Sequence, residues 1–97
     1  PFYVKATAGN GYVDLIWSHT IDKATNYCVY YGERPGEYLG RVALEGDSPV
    51  IVGPENSVRL KSLKNGRIYY FAIASEYNGQ IGPLSQEVYA RPTIQSY

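Results

Sequence analysis

The feature that most limits this chain is a two-residue periodicity, broken by turn residues about every 8–12 positions. In residues 12–18, Val13, Leu15 and Trp17 alternate with Asp14, Ile16 and Ser18. In residues 27–31, Tyr27, Val29 and Tyr31 alternate with Cys28 and Tyr30. In residues 69–75, Tyr69, Phe71 and Ile73 alternate with Tyr70, Ala72 and Ala74. Successive side chains of a strand point to opposite faces, so this period gives each strand one face for a core. No stretch carries an apolar stripe of period 3.6 over three turns. The 11 tyrosines, with Val, Ile and Thr, suit a pleated, half-buried surface.

Turn chemistry fills the gaps. Asn10-Gly11 lies between residues 5–8 and 12–18 and is a dipeptide preferred in two-residue hairpins, where both positions favour φ > 0. Arg34-Pro35-Gly36-Glu37 is expected to turn the strand at 27–32 into another at 38–44. Gly46 to Pro49 and Gly53 to Asn56 bracket a short strand at 50–52, and residues 78–83 separate 69–76 from 84–90. The expectation is a single all-β domain over residues 1–97, a seven-stranded sandwich with its core at about 5–92 and linker remnants at both ends.

Composition excludes several functions. The 9 Lys and Arg cancel the 9 Asp and Glu, which removes the basic footprint that nucleic acid or an anionic membrane requires. The longest apolar run, 68–74, is far short of the roughly 20 residues of a spanning helix. Cys28 stands alone, so no internal disulfide forms, and a single His19 leaves a structural zinc site almost without ligands. No cofactor is expected. The absence of Met and of a signal peptide makes the chain read as a piece of a longer protein, monomeric as a fragment.

Catalysis finds little support. Ser18 and His19, with Asp14 or Asp22, could supply a triad, but adjacent strand residues face opposite ways. Asp14, Asp22, Glu33 and Glu37 fall on outward faces or turns rather than across a cleft, and residues 45–48 hold too few oxygen ligands for calcium. The domain by itself is not expected to be an enzyme.

The run from Leu60 through Leu63, Gly66 and Tyr69 to Phe71, Ile73 and Ala74 resembles the E-to-F segment of fibronectin type III domains. Val13-x-Leu15-x-Trp17 resembles strand B of that family, Tyr27-x-Val29-x-Tyr31 its strand C, and residues 85–92 its strand G. The resemblance covers about residues 5–92 and implies strands A-B-E packed against C-F-G with C′. It implies that Trp17 and Phe71 fill the centre, beside Leu60 and Leu63, and that Tyr69 is a tyrosine corner bonding a backbone group near Leu63. The other reading of Tyr69 is a large core residue and nothing more. Asn65 and Arg67 depart from the family's frequent Pro and Thr, on what reads as the solvent side of the corner. Glu45-Gly46-Asp47 lacks the Arg of an integrin motif. Residues 30–38 and 65–72 resemble bacterial members appended to secreted glycoside hydrolases and cell-surface proteins. The implied role is a non-catalytic spacer or docking module, outside the cell.

Two features bear on partners. Alternation points Cys28, Tyr30, Tyr70, Ala72 and Ala74 outward from the C-F-G sheet, and none is charged. They are expected to form an exposed, weakly apolar patch for a neighbouring domain of the same chain, unless long neighbouring side chains cover Cys28. The surplus tyrosines either shield the sheet or bind polysaccharide through Tyr30, Tyr38 and Tyr70; a protein-binding, adhesin-like role is a third reading.

Overall fold

The computed structural model describes residues 3–18 and 26–94. His19 and Asp22, considered above for a triad, lie outside them. Eight strands form among the described residues: β1 (Val4–Gly9), β2 (Tyr12–Trp17), β3 (Asn26–Gly32), β4 (Val50–Gly53), β5 (Ser57–Leu60), β6 (Tyr69–Tyr77), β7 (Gln80–Ile81) and β8 (Val88–Ala90). They make two antiparallel sheets, β1-β2-β5 and β4-β3-β6, with β7 and β8 both pairing with β6. This is the A-B-E against C′-C-F-G order expected from the resemblance.

Alternation decides what lies between the sheets. Val13, Leu15, Trp17 and Leu60 face Tyr27, Val29, Tyr31, Tyr69, Phe71 and Ile73, and all ten are buried. Trp17 meets Tyr27 edge to face, with ring centroids 5.5 Å apart, a geometry that aligns the positive edge of one ring with the negative face of the other. Leu63, just after β5, closes the end of this core.

The two hairpin turns divide the expected chemistry differently from the sequence reading. At Asn10-Gly11 only Gly11 takes a positive φ, 78°. The turn with both positions positive is Asn78 (53°) and Gly79 (77°), joining β6 to β7 through the pair Tyr77 and Gln80. Asn tolerates this region better than most residues and Gly enters it freely, which is why the pair makes a tight hairpin there.

Two expected strands are corrected. Residues 38–44 form no strand; the partner of β3 on that side is β4. The cause is Tyr31, whose aromatic ring occupies the space where a side chain at residue 40 would sit, 2.1 Å from an added Cβ. The phenol of Tyr31 donates to the Gly46 carbonyl at 2.7 Å and accepts from the Ala43 N–H at 3.1 Å. Its own N–H donates to Ser48 Oγ, and its carbonyl accepts from the Gly40 N–H. Four bonds to one residue gather residues 40–48 into a coil, and an extended strand cannot satisfy them together. The strand expected over 84–90 is also shortened, to Val88–Ala90. Ser85 is buried ahead of it, exchanging bonds with Ile73 through its N–H and its Oγ, so the ladder is interrupted by a side-chain bond.

Tyr69 lies in the core with no exposed surface, and its hydroxyl accepts the Lys64 N–H at 3.0 Å. A buried phenol needs such a partner, and the bond fixes the loop between β5 and β6 across the end of the sandwich. Tyr69→Phe keeps the ring and strands the Lys64 N–H. We expect a loss of about 1 kcal/mol in urea unfolding with unchanged slope; an unshifted midpoint contradicts this role. Gly40→Ala forces a methyl into the ring of Tyr31 and is expected to cost about 1–3 kcal/mol. The same melts check it, with Gly82→Ala as a control for a glycine outside the left-handed region whose added Cβ makes only ordinary contact with Ser75, at 3.6 Å.

Candidate functional site

The carboxylates are spread over both faces, and several of them are held by partners. Asp14 receives two bonds from Arg59, at 2.6 and 3.0 Å, and the same guanidinium lies 4.0 Å from the centre of the Tyr12 ring. Glu33 pairs with Arg67, and Glu45 pairs with Lys61 while accepting its N–H. Glu76 accepts from the Asn26 amide. Among the described residues no three His, Cys, Asp or Glu side chains come together. Asp14 belongs to the outer face of the smaller sheet and Glu87 to that of the larger, so the two cannot flank one scissile bond.

The outer face of the larger sheet is where the candidate interface residues meet. Cys28 stands between Ile51 and Ala74, and Tyr30 lies opposite Ala72. Tyr70 stands between Gly32 and Tyr89. Continuing the pairing of Phe71 with Val88 sets Glu87 beside Ala72. Across this row lies Tyr38, from the loop after β3. Its ring is 6.3 Å from that of Tyr30, at 57°, and its hydroxyl donates to Glu87 Oε1. The same oxygen accepts the Gly36 N–H at 2.8 Å. Gly32 permits the approach: a Cβ there would lie 2.2 Å from the Glu37 carbonyl oxygen. Residues 33–39 therefore fold back over their own sheet.

This cover corrects the expected exposed patch. Cys28, Ala72 and Ala74 point outward, yet none has any exposed surface, and Tyr30 and Tyr70 are only partly exposed. The small side chain of Ala72, between Tyr30 and Glu87, leaves room for Tyr38; a Lys or Glu there would lift the loop. Burial pushes the Cys28 thiol up from its ordinary pKa, and the charge of Glu76 pushes the same way, so the thiol is neither open nor activated. Tyr38, expected to be available for stacking, is half-buried and bonded.

Beside this cover lies an open hollow of about 530 Å³, lined by Glu33, Asn65, Gly66, Arg67, Ile68, Tyr70 and Arg91. The Tyr70 ring stands 6.2 Å from that of Tyr89, at 45°, and Tyr89 is 68% exposed. Asn65, placed on the solvent side by the sequence reading, braces this end of the molecule. Its Oδ1 accepts the Gly11 N–H at 2.8 Å and its amide donates to Asn10 Oδ1 at 2.9 Å. Nearby, the Leu63 N–H donates to the Gly11 carbonyl, the Gly66 N–H to Pro92 and the Thr93 N–H to Gly9. The only advance signal was an amide at a position that in similar sequences often carries proline.

The Tyr38 phenol is pushed up to about 12, first by burial and then by its bond to the Glu87 carboxylate. Its folded pKa lies above the unfolded one, so the folded state holds this proton longer. The stabilisation is complete below about pH 10 and is lost as pH rises toward about 12. Burial delays Tyr30 and Tyr31 as well, so ultraviolet titration of Tyr38→Phe should show one late tyrosinate fewer than the parent; identical curves at high pH contradict the assignment.

No family model matches the chain. Its sequence is 33% identical over 92 residues to an amylopullulanase of Thermoanaerobacter thermohydrosulfuricus, covering 94% of this chain and 6% of that protein. The chain thus spans a small fraction of the curated relative it matches. Among solved structures, a β-1,2-glucanase from Parabacteroides distasonis superposes with a TM-score of 0.77 at 16% identity, over 96% of this chain and 12% of that one. A fibronectin type III domain of human contactin 1 superposes at 0.75 and 20% identity, over 97% of this chain and 76% of that one. Two antiparallel sheets in the order β1-β2-β5 and β4-β3-β6-β8, joined by this connectivity, are shared with those domains: the chain has the fibronectin type III fold.

Proposed function

We propose that this chain is a non-catalytic accessory module of a longer, secreted protein of the glycoside hydrolase kind, acting as a spacer between neighbouring domains of the same polypeptide. The observation that carries this reading is where the chain comes in and goes out. Tyr3 accepts the Ser18 N–H at one end of β1, and Thr93 donates to Gly9 at the other. The six residues of β1 separate these points, on the order of 20 Å at the rise of a strand. A module tied at opposite ends sets a distance between whatever it joins. The likeness to a small portion of an amylopullulanase supports a place within a larger hydrolase.

Of the two binding readings, stacking of polysaccharide on Tyr30, Tyr38 and Tyr70 is disfavoured, because Tyr38 is occupied by Tyr30 and Glu87. The test is a distance measurement. Spin labels at Tyr3→Cys and Thr93→Cys, in a Cys28→Ala background, should give one narrow distribution that persists when folded domains are fused at both ends. A broad distribution, or glucan hydrolysis by the isolated chain, overturns the spacer reading.

A further inference from the structure

We infer that residues 33–39 form a strap that opens and closes as one unit over the larger sheet, with the Glu87 carboxylate as its latch. The ends of the segment are fixed by the core. Gly32, the last residue of β3, is paired with Tyr70, and the Gly40 N–H donates to the Tyr31 carbonyl at 2.9 Å. Between these points, among the described residues, the segment shares no backbone-to-backbone bond with the rest of the molecule. Its one such bond is internal, from the Glu37 N–H to the Arg34 carbonyl at 3.2 Å. Packing does not hold it down either. A hollow of about 450 Å³ is lined by Glu33, Arg34, Glu37 and Leu39 of the strap together with Arg41 and Val42, and Leu39 is 81% exposed.

Side chains supply what holds it. The Glu33–Arg67 pair is half-exposed, and such pairs stabilise little. The Tyr38 ring meets that of Tyr30. Glu87 Oε1 receives both the Gly36 N–H and the Tyr38 hydroxyl, and bonds to a charged acceptor are roughly twice as strong as neutral ones. Both donors sit on one short segment and close on one atom, so losing either loosens the other. Segments with few apolar contacts and exposed bonds are those that open while the core stays folded. Opening withdraws Tyr38 from Tyr30 and from Glu87, the two neighbours of Ala72 in its row. The larger sheet then offers a second outer surface, with the Tyr30 ring and the Glu87 carboxylate released. This device goes beyond the spacer reading and does not require it, since the spacing rests on β1 in the other sheet.

The test is amide hydrogen exchange of the whole chain, read by NMR in the parent, Tyr38→Phe and Glu87→Ala. Glu87→Ala removes the latch, and exchange at Gly36 should rise at least about tenfold. Tyr38→Phe is the deciding variant, because it leaves both partners of the Gly36 bond in place. If the strap moves as a unit, exchange at Gly36 still rises, by at least about fivefold. The amides of Gly40 and Leu63, bonded to Tyr31 and Gly11 outside the strap, should keep the parent rate in both variants. An unchanged Gly36 rate in Tyr38→Phe overturns the strap, since the two bonds then act separately. Acceleration of Gly40 and Leu63 by the same factor as Gly36 also overturns it, since the segment then opens only with the core.

Discussion

Two phenol groups, those of Tyr31 and Tyr69, hold the irregular parts of this molecule to its regular ones. A domain of this size cannot bury enough purely apolar surface to order long connections as well as sheets. Its core rings therefore serve two purposes. Each ring fills space between the sheets, and each hydroxyl emerges at a margin of the core to fix a loop. Tyr69 takes the Lys64 N–H and secures the β5–β6 connection; Tyr31 organises the connection between β3 and β4. Phenylalanine would supply the first contribution and not the second. The high tyrosine content is in this sense an economy of chain length.

The two outer faces solve different problems. The smaller sheet meets water with an ordinary charged pair, Asp14 and Arg59, backed by Tyr12. Such exposed pairs add little stability, but they keep the face soluble. The larger sheet carries small uncharged residues at its centre, and a loop folds back beside them onto Tyr30 and Glu87. Glu87 is the anchor of that cover, one oxygen receiving both a backbone N–H and the Tyr38 hydroxyl. The end beyond the cover stays open, with Tyr70 and the Glu33–Arg67 pair at its margin.

Much of this was legible in the sequence, because strand alternation is a local property. Residues 12–17, 27–31 and 69–74 announced both their strands and the faces they bury. What escaped reading was set by contacts distant along the chain. Residues 38–44 look strand-like in isolation, and only the ring of Tyr31 against Gly40 shows why they coil. The outward direction of Cys28 was readable, and its burial stood as one of two readings between which alternation alone does not choose. The cover depends on Tyr38 meeting Glu87, 49 positions away. Asn65 carried an ambiguous signal for the same reason, since its partners are Asn10 and Gly11.

The bonds that join Gly9, Gly11, Asn65, Gly66, Pro92 and Thr93 have a mechanical consequence. They anchor the departing chain next to the far end of β1, while the incoming chain leads into the near end of the same strand. Tension applied through the two ends then runs along β1 rather than across it. The ladder between β1 and β2, registered from Val4 with Trp17 to Gly9 with Tyr12, is loaded in shear, so its bonds share the force instead of opening one at a time. A module built this way resists stretching along its length better than its modest core would suggest, and it yields most easily to a force that peels β1 sideways.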